Sequence, residues 1–344
     1  MNNTNNYYIS RSSKSTKFVA IIGAIIIIVL ITVPFWAGRA DMRLLGLFFL
    51  YLSLASLWNL LAGYAGLVSV GQQAFVGFGG YILFALTIFG GFHPLVAIGA
   101  AGLLGILISM PVAVLIFRLR GAYFAIGTWV VAEIFRLSFA QIQSLGGGSG
   151  ISLPITIVKS LASSRQMREW TSYWLALAVV LLVIGSVYLF LRSKQGLALT
   201  AIRDNELAAG SLGIDIWKTK FIVYVITAGL TSLVGSLIFL QKLRISPNAA
   251  FAVNDWTAFI IFIVVIGGIG TIEGPIIGTL VFFALRGFLA DLGTIYLIVL
   301  GAVAIIVMLL APQGIWGLIK TNLKFNIFPL NYRVIKKRNL RNEN

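Results

Sequence analysis

Ionisable side chains inside an apolar run are costly, so they are the first candidates for chemistry. Glu133 and Arg136 lie three residues apart in such a run and share one face if it is helical. Two readings fit them: a pathway for ions or protons that faces an internal cavity, or a self-neutralising pair near the outer end of a span. Ser69, Gln72 and Gln73 open another apolar run, framed by Gly66, Gly71, Gly77, Gly79 and Gly80. A polar side chain in hydrocarbon needs a partner, and glycine at this density brings backbones together or breaks a helix. These residues either line a polar solute path or join helices by hydrogen bonds. Other chemistry is excluded by composition. There is no cysteine, and the one histidine, His93, stands in a turn before Pro94, so disulfides, thiolate sites and His-based metal sites are not expected. No P-loop and no catalytic cluster occur, so an enzyme is not expected, and no cofactor. Gly268, Gly270 and Gly274 have the wrong spacing for a dinucleotide loop. They read as a turn, with Pro275 opening the next span and Glu273 solvated at the membrane surface.

The polar run Arg192–Lys220 stands between apolar blocks of membrane-spanning length and carries Arg192, Lys194, Arg203, Lys218 and Lys220. A simple turn needs about five residues, and this run is far longer. Its middle, Leu197–Leu212, reads as one short amphipathic helix with Leu199, Ile202, Leu207 and Leu212 on one side. Arg203, Asp204, Asn205 and Glu206 interrupt that stripe. Such a helix rests on lipid headgroups or docks a partner. Asp204, Glu206 and Asp215 would be repelled by anionic lipid, which favours the partner.

The elements that position these residues are membrane helices. Of 344 residues, 59% are hydrophobic and 10% charged, against about 25% charged in soluble domains. Uncharged segments of about 20 residues recur, each long enough to cross a bilayer as a helix. The fold expected is an all-α polytopic membrane protein with about 10 spans (range 8–10), some broken by Gly-rich turns. The spans fall near 18–36, 44–62, 70–89, 95–117, 122–140, 173–191, 221–240, 256–270, 276–291 and 294–311. Residues 1–17 read as a disordered tail, 18–318 as the membrane domain with its loop 192–220, and 319–344 as a basic tail. The first apolar segment lacks a cleavage site and reads as a span.

Ten spans put both termini on one side. Of the 26 Lys and Arg, 17 then share that side with the 192–220 loop, 7 face the other side, and Arg136 and Arg286 lie within spans. The bias places both termini and the loop in the cytoplasm. It also accounts for the net charge of +16 without nucleic acid. Gly-rich breaks near 63–80 and 267–275, one in each half, hint at a binding site or an internal repeat.

Six segments in order resemble one family. The stretch Asn59-Leu-Leu-Ala-Gly63-Tyr-Ala-Gly66-Leu-Val-Ser69-Val-Gly71-Gln72-Gln73 resembles the signature of LivM-type permeases, the membrane subunits of ABC importers for branched-chain amino acids. So do Arg118-Leu-Arg-Gly121-Ala-Tyr123, Glu133-Ile-Phe-Arg136, Gly147-Gly-Ser-Gly150, Ala201-Ile-Arg203-Asp204-Asn205-Glu206, and the Gly267–Gly278 segment. The matches run from about residue 44 to 318.

The resemblance implies a role for the polar loop. In this family a short cytoplasmic helix couples the permease to its ATPase, and Ala208-Ala209-x3-Gly213 looks like the family's coupling loop, with the acid, Glu206, one place early. By resemblance the coupling residues are Arg203, Asp204, Asn205, Glu206, Ala208, Ala209 and Gly213. The implied partners are a LivH-type second permease, two ABC ATPase subunits and an extracytoplasmic substrate-binding protein, within the lipid of a bacterial or archaeal plasma membrane. Branched-chain amino acids are the first choice of substrate. A urea or amide importer keeps the same scaffold, and an ion-coupled secondary transporter using Glu133 and Arg136 is the competing class.

Overall fold

The computed structural model describes residues 7–10, 14–162, 164–289, 295–323 and 333–336. Helices dominate: α1 (Lys14–Trp36), α2 (Arg39–Asn59), α3 (Gln72–Ile88), α4 (Pro94–Ile116), α5 (Ala122–Gln141), α6 (Ile155–Leu161), α7 (Arg165–Arg192) and α8 (Lys194–Asp204). They continue as α9 (Glu206–Ser211), α10 (Ile216–Lys242), α11 (Pro247–Ala250), α12 (Phe259–Gly267), α13 (Glu273–Leu289), α14 (Ile295–Leu310) and α15 (Gly314–Leu323). Among the described residues, seven helices are long and apolar enough to cross a membrane, and Ile21–Trp36 and Gln72–Ile88 are shorter apolar helices. The chain is an all-α polytopic membrane protein.

Parts of the stretches 1–17 and 319–344, read from sequence as tails, fall among the described residues. Tyr7–Ser10 (β1) and Arg333–Lys336 (β4) pair as antiparallel strands, and helix reaches Leu323. Tyr7, Tyr8, Ile9, Val334 and Ile335 are residue types enriched in strands. The remainder of both tails lies outside the described residues.

The core forms where α10 packs on α3 and α4 and where α2 packs on α7. Close approach comes from small residues. A Cβ on Gly79 would overlap the Ser232 carbonyl, and one on Gly235 the backbone of Val76. Membrane helices gain little from hydrophobic burial against lipid, so contact of this kind carries their association. The segments Arg39–Tyr64 and Ile216–Lys242 are largely buried, whereas α5 and the α14–α15 segment are 17% buried in their apolar windows. The first pair builds the centre; α5 and α14–α15 present apolar flanks outward.

Both Gly-rich breaks are real. A π-helical turn, Leu60–Tyr64, extends α2, and α3 starts only at Gln72. Between α12 and α13 the chain turns through Gly270, at φ 76, where only glycine is unstrained. The segment 141–171 is more ordered than a loop. It holds two 3-10 turns, strand β2 (Ile151–Ser152) paired with β3 (Arg244–Ile245), α6 and the first turns of α7.

Loop contacts sort into two ends, separated by α7 at about 42 Å. At one end Arg203 reaches Gly63, and Asn59 reaches Gly270 and Thr271. At the other, Arg43 pairs with Glu169, His93 meets the Ser160 carbonyl, and β2 pairs β3.

Candidate functional site

The polar run between α7 and α10 folds as two short helices rather than one. The Ser193 hydroxyl accepts from Gly196 N–H at 3.4 Å and starts α8. Asn205 is extended, and its Oδ1 accepts from Ala208 N–H at 3.0 Å, which starts α9. An asparagine that caps its own downstream turn competes with helix continuation, so the single helix expected over Leu197–Leu212 breaks there. Asp215 caps α10 through Lys218 N–H at 2.9 Å.

The break also splits the apolar stripe. Leu199, Ile202 and Ala209 are buried against the bundle. Leu207 and Leu212 are 85% and 80% exposed. They form an outward apolar pair flanked by exposed Asp204, Asn205, Glu206, Ala208 and Gly213. Glu206 is tied to Lys220 at 2.9 Å.

Arg203 is the anchor. Its Nη1 donates to the Gly63 carbonyl at 2.8 Å, and its Nη2 pairs with Asp204 at 2.9 Å. Gly63 belongs to the π-helical turn, where a Cβ would overlap Gly270. Asn59 closes the node: its Nδ2 donates to Thr271 O at 2.7 Å and its Oδ1 accepts from Gly270 N–H at 2.8 Å. One cluster therefore joins α8 to both Gly-rich breaks. Sequence reasoning read Gly270 only as part of a turn and gave Asn59 and Thr271 no role. The available signal was an asparagine inside an apolar span, which needs partners there. Glu273 corrects the sequence reading of a solvated side chain. It is 8% exposed, because α13 begins with it against the break.

Of the residues expected to line a path, Ser69 and Gln72 come together, whereas Gln73 and the Glu133–Arg136 pair make their contacts elsewhere. Gln72 Nε2 donates to Leu54 O at 3.0 Å, and its Oε1 is buried without a hydrogen bond. Gln73 Oε1 accepts from the Thr257 hydroxyl. Ser69 Oγ accepts from Gly71 N–H at 3.2 Å, and its carbonyl takes the Trp58 indole at 2.7 Å. Ser69, Gln72, Thr227 and Thr231 border a void of about 10 Å³, room for about one water. Glu133 and Arg136 stand elsewhere, at the α6 end. Arg136 Nε lies 2.9 Å from both Glu133 oxygens, and its Nη1 donates to Asn248 Oδ1 at 3.0 Å. The pair is neutralised internally and bound to α11.

The sequence profile described as "Branched-chain amino acid transport system / permease component" matches residues 42–311. The chain belongs to this family of permeases. It is a multi-pass plasma-membrane protein. The permease is 28% identical, over 87% of its length and 75% of the relative's, to the high-affinity branched-chain amino acid transport system permease protein LivM of Salmonella typhimurium. Against LivM of Escherichia coli K12 it is 29% identical over 85% of its length and 73% of the relative's. A probable LivH of Methanocaldococcus jannaschii is 30% identical over 40% of the permease and 46% of the relative. No solved structure matches it. The profile begins in α2 and runs through α14, so it includes the Asn59–Arg203–Gly270 node and both exposed leucines of the α8–α9 segment.

Proposed function

We propose that this permease is the LivM-type subunit of an ABC importer that moves branched-chain amino acids across the plasma membrane, with ATP hydrolysed by separate subunits. The family match over residues 42–311 carries the reading. The α8–α9 segment is its coupling element. Leu207 and Leu212 seat in a groove of an ATPase subunit, with Asp204, Asn205, Glu206, Ala208 and Gly213 at the contact. Arg203 and buried Ala209 hold the segment on the bundle. ATP-driven closure of two ATPase subunits then moves α8, and the node passes that motion to the breaks at Gly63 and Gly270.

The proposed orientation has ten crossings with both termini and the α8–α9 segment in the cytoplasm. Three observations support it: the charge bias, the sorting of loops into two ends, and the pairing of Tyr7–Ser10 with Arg333–Lys336. The outward apolar flanks of α5 and α14–α15 suit a LivH-type second permease and lipid. An extracytoplasmic binding protein delivers substrate at the other end. Ser69 and Gln72 line the route between the ends once the helices part, with Gln73 beside them.

The test is capture of the tagged chain from membranes in mild detergent, followed by reconstitution. An ABC ATPase and a second permease co-purify, and leucine uptake requires ATP. Uptake by the chain alone under an ion gradient would overturn the reading. Uptake of urea in place of leucine would correct the substrate and keep the coupling scheme.

A further inference from the structure

Lys and Arg are disfavoured on the outside of a membrane protein. Seven fall there in the proposed orientation, and five of them gather at one cleft. Arg43, Arg165, Arg168 and Lys242 line it, and Arg39 reaches its Glu169 at 3.6 Å. The cleft lies between α2, α6, α7 and α10 and has a volume of about 670 Å³, within the range of small-molecule sites.

Its charge is unbalanced. Glu169 is the one acid lining it, against four cations. Arg43 lies 2.5 Å and Arg165 3.7 Å from Glu169. Arg168 donates instead to the Ala162 carbonyl at 3.3 Å, and Lys242 Nζ sits 4.6 Å from the Trp256 ring centroid. Neither forms a salt bridge among the described residues. The other half of the lining is aliphatic: Met42, Leu47, Leu50, Ile238 and Leu240. Close by, Phe35, Trp170 and Trp174 form an aromatic cluster with centroids 5.4 to 6.4 Å apart. Such clusters mark the depth of lipid headgroups.

We infer that this cleft binds an anionic phospholipid, its phosphate among Arg43, Arg165, Arg168 and Lys242 and an acyl chain against Leu47 and Leu50. A free anion satisfies the cations but leaves the aliphatic half unfilled, and a neutral lipid leaves the surplus charge unmatched. The inference rests on the proposed orientation and not on the transported substrate. Its test uses neither ATPase nor substrate, so failure of either reading is seen separately.

The full chain, purified in mild detergent, is titrated with phosphatidylglycerol, phosphatidylcholine and inorganic phosphate and read by native mass spectrometry. Phosphatidylglycerol is retained in preference to phosphatidylcholine, and inorganic phosphate does not displace it. Arg168→Gln with Lys242→Gln lowers its affinity about 30-fold. Arg168→Lys with Lys242→Arg keeps binding. Equal retention of the two lipids, displacement by inorganic phosphate, or unchanged affinity in the folded Gln double variant overturns the inference. The lipid comparison on the unaltered chain decides the matter even if the double variant does not fold.

Discussion

Replacing Leu207 and Leu212 together by serine should detach the permease from its ATPase while leaving the membrane domain intact. The two side chains are 85% and 80% exposed, so the isolated chain gains almost nothing from them. Exposed substitutions of this kind change stability by about 0.5 kcal/mol or less. A docked ATPase would bury both. Full burial of one leucine contributes about 1.5–3 kcal/mol, so the pair offers about 3–4 kcal/mol at these exposures. Loss of that amount weakens docking by about 100- to 1000-fold. The assay is retention of the ATPase by immobilised permease in detergent, with size-exclusion elution as the folding check. Leu199→Ser is the contrast. That side chain is fully buried, and its loss costs about 2–5 kcal/mol of stability, so it should misfold rather than uncouple. ATPase retention at the unaltered level in a folded Leu207→Ser, Leu212→Ser variant would refute the coupling role of α9.

Glu206→Arg should also lose the ATPase without unfolding, since the exposed Lys220 pair it breaks is worth under about 1 kcal/mol; capture as above checks it. Arg203→Met removes a charged hydrogen bond to the Gly63 carbonyl, worth about 1.5–3 kcal/mol, and should leave ATPase bound and hydrolysing while uptake falls. Gly235→Val forces a side chain into the Val76 backbone. It should destabilise the bundle by about 3 kcal/mol or more, read as a lower Tm in detergent. Gln72→Leu should lower uptake with assembly unchanged, because the Gln72 amide borders the void between α2, α3 and α10; normal uptake would assign Gln72 to helix packing alone.

The membrane class was legible because hydrocarbon demands long apolar helices, and that demand is written locally. Boundaries between apolar runs followed from Arg, Lys and Pro, and both Gly-rich breaks were placed because glycine is needed where backbones cross or turn. What sequence missed depended on contacts between distant segments. The break at Asn205 is a competition between helix continuation and a side-chain cap, and periodicity counts only the first. Leu207 and Leu199 look alike in a helical stripe, and only the break turns one outward and the other in. Glu273 reads as solvated beside a Gly-rich turn, yet the packing of α13 on α12 encloses it. Asn59 stood in plain view within an apolar span, but its partners are more than 200 residues away.

In the proposed coupling scheme, the node is the route by which a surface helix would move the buried bundle. Leu199 and Ile202 seat α8 against the core, but apolar contacts of that kind slide. The Arg203 bond to Gly63 does not, because it fixes one carbonyl direction. Gly63 lies in a π-helical turn, whose widened ladder is the part of α2 most able to change its hydrogen bonds. Asn59, one turn earlier, holds both Gly270 N–H and Thr271 O, so α2 cannot shift at its end without drawing on the α12–α13 turn. In that scheme a displacement of α8 reaches the turn that ends α2 and the turn that precedes α13 at once. Arg203→Lys keeps the charge but removes the planar guanidinium that serves Gly63 and Asp204 together. If the node transmits motion, that variant binds ATPase normally and still loses uptake; equal uptake would mean that α8 is carried by its leucines alone.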